Sequence, residues 1–282
     1  MNSIHAQESK RGNHFAFGKN WERFLKVVNE HRIEQAMQSL CNNLGVEELG
    51  GKTFLDIGSG SGLFSLAAHR LGAKVHSFDY DLQSVACTAE LKKRYARPDV
   101  EWTIEQGSAL DRSYLQSLGQ WDIVYSWGVL HHTGNMWESL ENVSSLVSPG
   151  GYLFISIYND QGGPSRRWRL IKRIYNRLPK ILRVPYAVAI MGPREANLFL
   201  MSCIKGRPFM YFDNIIHYSE RSLRGMSYWY DIVDWLGGYP FEVAKPEDIF
   251  GFYRERGFVL QRLKTCAGSI GCNEFVFQLP AQ

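Results

Sequence analysis

The sequence predicts an α/β fold of the Rossmann-like, doubly wound type, with seven strands in one mostly parallel sheet. Strand-like and helix-like runs alternate from residue 52 to residue 158, and a glycine-rich turn follows the first strand. Strands that alternate with helices of this length form parallel sheets with right-handed crossovers. Two strand-like runs near the end of the chain predict a final antiparallel hairpin at one edge of the sheet.

Each element follows from a local pattern of apolar residues and turn residues. The predicted strands are Lys52–Ile57, Lys74–Asp79, Glu101–Gln106, Trp121–Ser126 and Tyr152–Tyr158. The predicted helices that alternate with them are Leu63–Leu71, Asp81–Tyr95, Ser113–Leu118 and Met136–Val147. A helix over Pro246–Arg256 and the two strands of the hairpin, Phe258–Thr265 and Glu274–Leu279, complete the predicted core.

The alternation is interrupted between residues 159 and 240. The turn signal Gln161-Gly162-Gly163-Pro164 opens this segment. We therefore expect a core made of residues 51–158 and 241–282, with residues 159–240 as a largely helical insertion that caps it. Residues 1–50 are expected to form a helical or lid segment. Its aromatic residues Phe15, Phe17 and Trp21 would either cover the site or anchor a helix to the core.

Composition and the start of the chain favour a globular protein of the cytoplasm. The 282 residues are 45% hydrophobic and 21% charged, which is ordinary for a domain with a sizeable core. Met1 to Asn13 contain no apolar stretch, which argues against a secretory signal. The five cysteines lack the spacing of a zinc or iron–sulfur site, so we expect reduced thiols and no metal.

The net charge of +4 is unevenly distributed. Residues 159–208 contain eleven Lys and Arg against two acids, a local balance of +9. Within this segment Arg166, Arg169, Arg173 and Arg177 recur at helical spacing. Such a helix could face an anionic small molecule, an anionic lipid surface or nucleic acid, or it could simply be solvated.

The glycine-rich turn has a spacing that discriminates between cofactors. Asp56 is followed by Gly58, Gly60 and Gly62, which reads acid-x-G-x-G-x-G and not the G-x-G-x-x-G of dinucleotide sites. Glycine permits the sharp turn and a close approach of the backbone to a ligand. The helix start that follows adds backbone N–H donors. An acid at this position fits poorly beside a pyrophosphate and well near an ammonium group.

The ends of the next three strands complete the predicted site. Asp79 ends the second strand, where its carboxylate can accept hydrogen bonds from both hydroxyls of a ribose. Ser108 and Ala109 follow the third strand, and Ser126 and Trp127 stand at the end of the fourth. Because ligands of open α/β sheets bind at the carboxyl ends of the strands, we expect these residues to surround one ligand.

Together these motifs resemble class I S-adenosylmethionine-dependent methyltransferases. The resemblance rests on the runs FLDIGSGSGLFS, SFDYD, GSALD and WDIVYSWGVLHH, followed by LVSPGGYLFISIYN, and covers about residues 50–160 and the final strands. Within that superfamily the chain looks closest to bacterial small-molecule methylases related to those of quinone biosynthesis. Ser108 departs from the family pattern, in which many members carry an acid that contacts the adenine amino group. The resemblance implies S-adenosylmethionine as cofactor, held by Asp56, Gly58, Ser59, Gly60, Gly62, Asp79, Tyr80, Ser108, Ala109, Ser126 and Trp127.

Methyl transfer requires the acceptor atom to be aligned with the methyl group, and a hydroxyl acceptor benefits from a general base. His131 and His132 follow the fourth strand and are the candidate bases, with His131 favoured slightly because it is nearer the strand end. One of the pair could also serve only packing. Weaker candidates are Tyr158 and Asp160. The candidate acceptor-binding residues in the insertion are Arg166, Arg169, Tyr228 and Trp229.

The sequence thus predicts a methyltransferase that acts on a small or medium-sized metabolite, such as a sugar, a lipid-linked or a quinone-like acceptor. A nucleic-acid methyltransferase, for RNA among others, is an alternative that rests on the basic segment. A catalytically silent S-adenosylmethionine-binding or scaffold protein is a third hypothesis. The predicted partner is a small-molecule acceptor, anionic if the arginines bind it, and peripheral membrane contact is a further hypothesis. The sequence predicts neither the acceptor atom nor the oligomeric state.

Overall fold

A computed structural model describes residues 24–218, 227–269 and 271–281, with the exception of residue 26 and of the side chain of residue 230. The predicted aromatic lid residues Phe15, Phe17 and Trp21 lie outside the described residues. Within the described part of the chain, no helix is both long enough and apolar enough to cross a membrane.

The described strands form one seven-stranded sheet of order β3-β2-β1-β4-β5-β7-β6. The strands are β1 Thr53–Ile57, β2 Lys74–Asp79, β3 Trp102–Gln106, β4 Trp121–Trp127, β5 Val147–Tyr158, β6 Val259–Lys264 and β7 Cys272–Gln278. Strands β1 to β5 are mutually parallel, and β7 runs antiparallel to both β5 and β6. The predicted fold class, with its final antiparallel hairpin, is confirmed.

Helices cover the sheet and form most of the segment between β5 and β6. They are α1 Glu30–Leu44, α2 Leu63–Arg70, α3 Leu82–Tyr95, α4 Arg112–Leu118, α5 Met136–Ser144, α6 Gly163–Arg177, α7 Lys180–Ile204, α8 Pro208–Ile216, α9 Tyr228–Gly237 and α10 Pro246–Arg254. A short 3₁₀ helix, Leu130–His132, follows β4.

Strand β5 begins five residues earlier than the sequence predicts. Its first residue, Val147, pairs with Trp121 of β4, and the pairing then continues with a shifted register to Tyr152. The intervening Ser148-Pro149-Gly150-Gly151 has the composition of a turn, which concealed the start of the strand. Helix α5 accordingly ends at Ser144 and not at Val147.

Both faces of the sheet are buried, as expected for a doubly wound fold. Neighbouring residues of β1 point to opposite faces, so Phe54 belongs to one apolar cluster and Leu55 to the other. The Phe54 cluster includes α1 and α2, and the Leu55 cluster includes α5 and α10. The carboxyl ends of β1 to β5 therefore emerge at a single edge, above a core packed on both sides.

The segment from residue 159 to residue 240 leaves and rejoins the core at adjacent points. Asn159, directly after β5, forms an isolated bridge with Ala244, directly before α10. Between them, α6, α7 and α9 pack around a separate apolar cluster that includes Tyr175, Met191 and Leu236. Helix α8 pairs with α7. The division into a core and an insertion of residues 159–240 that caps it stays a prediction.

Candidate active site

The loop between β1 and α2 is held against the end of β2 by its own backbone. The Gly58 and Ser59 N–H groups donate to the carbonyl oxygen of Phe78, at 2.8 and 3.1 Å. The Gly60 N–H donates to Oδ2 of Asp79 at 2.9 Å. The Ser59 hydroxyl lies 3.0 Å from the hydroxyl of Thr88 on α3. These bonds fix the loop at the carboxyl edge of the sheet.

All three loop glycines adopt positive φ angles, +78° at Gly58, +57° at Gly60 and +79° at Gly62. Residues with a Cβ rarely adopt this conformation. Two of the positions also lack space for a side chain. A Cβ on Gly58 would lie 2.4 Å from Cγ1 of Val129, and one on Gly62 would lie 2.8 Å from Cγ2 of Thr88. The loop is therefore both shaped for and packed around glycine.

Asp79 stands at the end of β2, where the sequence predicts the ribose-binding acid. Its two carboxylate oxygens face different partners: Oδ2 accepts from Gly60 N–H at 2.9 Å, and Oδ1 accepts from Asp81 N–H at 2.8 Å. Asp81 in turn caps α3 by accepting from the Gln83 N–H. The side chain of Asp79 is thereby oriented at the edge beside the glycine loop. The neighbouring Tyr80 is half-buried.

Asp56 lies at the end of a directed chain of hydrogen bonds. The Trp102 indole N–H donates to the Ser77 hydroxyl at 2.8 Å, and Ser77 donates to the Ser65 hydroxyl at 2.8 Å. Ser65 then donates to Oδ2 of Asp56. Because an indole can only donate and an ionised carboxylate only accepts, the direction of the whole chain is fixed when Asp56 is charged. The sequence analysis singled out Asp56 but missed the three residues that orient it.

Burial and nearby negative charge raise the pKa of both acids of the loop region. Burial raises the pKa of Asp56 to about 7, and the nearby charge of Asp79 adds to this effect. Burial also raises the pKa of Asp79 to about 6, although the N–H donors of Asp81 and Gly60 oppose the shift. A cation that entered between these carboxylates would relieve both effects. These two carboxyl groups thus favour a positively charged ligand at this edge of the sheet.

The predicted wall residues after β3 and β4 lie at the same edge but are held differently. Ser126 is fully buried, and its hydroxyl donates to the carbonyl oxygen of Ile57 at 3.0 Å, which ties the end of β4 to the end of β1. Trp127 is half-buried. The Ser108 hydroxyl accepts from Leu110 N–H at 3.2 Å, and the buried Ala109 has its carbonyl bonded to Asn142.

The two candidate histidines occupy the 3₁₀ helix after β4 and pack on an aromatic residue of β5. The ring of His131 is fully buried, 4.0 Å from the ring of Tyr158 and 4.5 Å from that of His132. Nδ1 of His132 bonds the carbonyl oxygen of Pro240. Because a carbonyl only accepts, Nδ1 carries the proton and Nε2 of the neutral ring carries the lone pair. The geometry therefore favours His132 over His131 as a base.

A polar cavity of about 230 Å³ opens directly after β5. It is lined by Asp160, Gly162, Ser165, Arg166, Arg169 and Val243. Arg169 also donates through Nε to the carbonyl oxygen of Phe241 at 3.1 Å, so part of its guanidinium serves the attachment of α6. The structure thus brings the two predicted arginines together at the carboxyl edge of the sheet.

A larger cavity, of about 500 Å³, lies at the opposite edge. Its lining includes Lys92 and Arg97 near the end of α3, and Glu101 and Trp102 at the start of β3. Because ligands of open α/β sheets bind at the carboxyl ends of the strands, we assign the active site to the edge with the glycine loop.

The two predicted acceptor-binding aromatics on α9 are not equivalent. The Tyr228 hydroxyl donates to Oε2 of Glu195 on α7 at 2.6 Å, and its ring stacks edge-on against Tyr218. These contacts join elements within the insertion. Trp229 is 37% exposed. The role of both residues in acceptor binding stays a prediction. The contacts of Tyr228 favour a role in packing the insertion.

A family model described as a methyltransferase domain matches residues 28–187, which is more than half of the chain. The chain belongs to this family. The match includes β1 to β5, the glycine loop, both acids and the two histidines. The match ends inside α7, so the rest of the insertion lies outside the region that matches the family model.

Curated relatives of this methyltransferase-domain protein resemble it over part of their length. The ubiquinone biosynthesis O-methyltransferase of Xanthomonas euvesicatoria is 30% identical over 135 residues, 48% of this chain and 52% of the relative. The enzyme of the same name from Paraburkholderia xenovorans is 32% identical over 111 residues, 39% and 46% of the two chains. The chain spans about half the length of the curated relatives that it matches.

Solved structures share the fold at low sequence identity. The magnesium protoporphyrin IX methyltransferase of Synechocystis PCC 6803 has a TM-score of 0.51 and 15% identity, over 88% of this chain and 83% of that one. The [4+2]-cyclase SpnF has a TM-score of 0.52 and 11% identity, over 88% and 81%. These likenesses establish the architecture of the methyltransferase domain.

Sequence reasoning missed a buried lysine beside the histidines. Lys172 of α6 is fully buried, and its Nζ lies 4.0 Å from the ring centroid of Trp235 and 4.9 Å from that of Phe241. It also donates to the carbonyl oxygen of Trp235. The ring of Phe241 packs 5.2 Å from that of Tyr158, which itself contacts His131. Burial lowers the pKa of Lys172 to about 7, against the charge of Asp234.

Proposed function

We propose that this protein transfers a methyl group from S-adenosylmethionine to a small or medium-sized metabolite that carries an anionic group. The observation that carries the proposal is a pair of acids, the buried Asp56 and the half-buried Asp79, beside three positive-φ glycines at the carboxyl edge of the sheet. S-adenosylmethionine bears a sulfonium and an ammonium group, and two acids of raised pKa favour such a cation.

The residues of the site fit the parts of this cofactor. Asp79, oriented by two backbone N–H groups, would accept hydrogen bonds from the ribose hydroxyls. Asp56, at the end of its hydrogen-bond chain, would face the ammonium group directly or through water. The glycines let the loop backbone approach the ligand closely. Ser108 and Ala109 would lie beside the adenine, and the end of β4 beside the methionine moiety.

When bound, the cofactor supplies a methyl group that is activated by the sulfonium charge. The chain's own task is to hold the acceptor in line with that methyl group, at roughly 3–3.5 Å. The cavity after β5 suits this task, because Arg166 and Arg169 meet there at the same edge as the glycine loop. We infer that they bind an anionic group of the acceptor. The curated relatives are named for an O-methyl transfer in ubiquinone biosynthesis, which supports a small quinone-like acceptor.

For a hydroxyl acceptor, we infer that His132 removes the proton through Nε2. Its Nδ1 is held by the carbonyl oxygen of Pro240, which fixes both the ring and the tautomer. His131, packed between His132 and Tyr158, would position that ring. A location in the cytoplasm accompanies this proposal as a prediction from the sequence.

The alternative hypothesis is a protein that binds S-adenosylmethionine without catalysing methyl transfer. The cyclase SpnF shares the fold, so the fold alone does not decide the reaction. The direct test incubates the protein with methyl-labelled S-adenosylmethionine and a metabolite extract, with and without added RNA. Label in a small anionic product supports the proposal. Label in RNA contradicts the proposed acceptor, and cofactor binding without any label transfer contradicts the proposed reaction.

A further inference from the structure

The helical hairpin formed by α7 and α8 exposes an unusual share of apolar side chains. Thirteen of the twenty-two large apolar residues that the structure describes as exposed lie between residues 181 and 216. In α7, a helix of 25 residues, Ala187 and Met191 are buried, and α8 buries none of its nine residues. Helices that are apolar on most sides are normally covered. Contiguous exposed apolar surface of this kind marks an interaction site.

Contacts between its two helices and with α9 hold the hairpin in place. The ring of Phe199 on α7 lies 5.5 Å from that of Tyr211 and 5.7 Å from that of Phe212, both on α8. The hydroxyls of Tyr211 and Tyr228 both donate to Oε2 of Glu195, which ties the hairpin to α9. The apolar surface is therefore presented by a fixed scaffold.

The tip of the hairpin, residues 204–209, combines two strongly exposed apolar side chains with cations. Ile204 is 70% exposed and Phe209 is 83% exposed. Between them stand the exposed Lys205 and Arg207, and the tip contains no acid. Exposed apolar side chains flanked by Lys and Arg fit the boundary between lipid headgroups and acyl chains, where the apolar groups insert and the cations meet phosphates.

We propose that this tip docks the protein onto the surface of an anionic lipid membrane. The contact that we propose is peripheral, with Ile204 and Phe209 of the tip inserted at the level of the lipid headgroups. The exposed arginines of α6, among them Arg173 and Arg177, extend the positive charge on the same insertion. A lipid surface would cover the apolar residues and neutralise these cations at the same time.

A second copy of the chain fits the tip less well. A symmetric dimer through residues 204–209 would bring Lys205 and Arg207 of the two copies together, and like charges in an interface are repulsive. Nucleic acid would meet the cations but leave Ile204 and Phe209 exposed to water. Of these three partners, an anionic lipid surface fits the tip best. The proposal stands on the hairpin alone and does not rest on the proposed methyl transfer.

The test is flotation of the full-length protein with vesicles of phosphatidylcholine, with and without phosphatidylglycerol. We expect binding to the anionic vesicles, weakened by salt. The double variant Ile204→Asp/Phe209→Asp should bind at least about tenfold less, because two buried apolar groups are replaced by acids. Lys205→Gln/Arg207→Gln should lower binding to anionic vesicles several-fold, because each cation adds to the attraction for the lipid surface. The matched control Val259→Asp changes an exposed apolar residue on β6 and should bind as wild type does.

Three outcomes overturn the proposal. The first is wild-type protein that ignores anionic vesicles or binds neutral ones equally well. The second is retention of vesicle binding by both double variants. The third is sedimentation showing a stable dimer that Ile204→Asp/Phe209→Asp dissociates, which would make the tip an interface between copies. Thermal unfolding of the same samples reports folding of the variants without reference to any ligand. Calorimetry with S-adenosylmethionine then separates failure of docking from failure of the proposed methyl transfer.

Discussion

Nζ of Lys172, which lies on the basic helix α6, is 4.0 Å from the ring centroid of Trp235 and is fully buried. The ring faces of Trp235 and Phe241 and the carbonyl oxygen of Trp235 stabilise the ammonium form. Burial acts in the opposite direction and lowers the pKa of Lys172 to about 7. The packing of α6 against Trp235 and Phe241 should therefore depend on the protonation state of Lys172, and hence on pH.

We expect the free energy of unfolding to rise with pH between about pH 7 and about pH 10 because of Lys172. The folded state holds the lysine at a lowered pKa, so the unfolded state binds more protons in this range, which gives a positive slope. The limiting slope is about 1.4 kcal/mol for each pH unit. Urea unfolding at several pH values measures it. Lys172→Met should remove the slope, while the control Lys52→Met, at an exposed lysine, should keep it. An identical slope in both variants would contradict this account.

Substitution of Gly58 should disrupt the loop for two separable reasons, its positive φ and its contact with Val129. Gly58→Ala should destabilise the fold by about 1–3 kcal/mol and weaken cofactor binding. Gly119 has a similar φ of +70°, and no atom lies within 4 Å of the position that a Cβ would take there, so Gly119→Ala isolates the backbone effect. Adding Val129→Ala to Gly58→Ala should restore part of the loss. If Gly58→Ala costs no more than Gly119→Ala in thermal unfolding, the close packing of this loop is not important.

The affinity for S-adenosylmethionine should increase with pH between about pH 5 and about pH 8. Burial raises the pKa of Asp56 to about 7 and that of Asp79 to about 6, so both acids are protonated at the lower end. A cationic ligand binds the charged forms, and binding must then expel protons. Each coupled proton contributes up to about tenfold per pH unit. Titration calorimetry in buffers of different ionisation enthalpy counts the released protons. No proton release at pH 6 would show that the acids do not face the ligand's charge.

Replacement of His132 should affect the chemical step. If Nε2 of His132 is the base for a hydroxyl acceptor, His132→Gln should lower kcat by about 10²–10⁴-fold and leave cofactor affinity unchanged. His31→Gln, at an exposed position of α1, is the matched control and should be neutral. His131→Gln tests the neighbouring ring, whose loss should act through the position of His132. Near-full kcat in both His131→Gln and His132→Gln would exclude either histidine as the base and leave alignment as the source of catalysis.

The sequence predicted those parts of the site that depend on local chain geometry. The spacing of Gly58, Gly60 and Gly62 requires a tight loop after a strand, and the position of Asp79 follows from the end of the next strand. The hydrogen-bond partners of Asp56 could not be predicted, since Ser77 and Trp102 come from other strands. They become its support only when β2 and β3 pair with each other beside β1.

The burial of Lys172 could not be predicted from local sequence patterns either. Within the sequence it is one of eleven cations in residues 159–208, a composition typical of a solvated face. Its partners Trp235 and Phe241 follow more than sixty residues later and reach it only because α9 packs on α6. The start of β5 was missed for the opposite reason, since its Pro-Gly-Gly run imitates a turn while tertiary pairing holds it in the sheet.

Titration calorimetry of S-adenosylmethionine and S-adenosylhomocysteine with wild-type protein, Asp79→Ala and Asp122→Ala measures whether the edge with the glycine loop holds this cofactor. Asp122 accepts hydrogen bonds from the backbone N–H and hydroxyl of Thr53 at the opposite edge of the same sheet, so its replacement is a matched control. We predict that both ligands bind the wild type and the control alike. Asp79→Ala should weaken both by on the order of 1.5–3 kcal/mol, the loss of hydrogen bonds to a charged acceptor. Unchanged affinity in a folded Asp79→Ala protein, or wild type that binds NAD in their place, would show that Asp79 does not bind the ribose of S-adenosylmethionine.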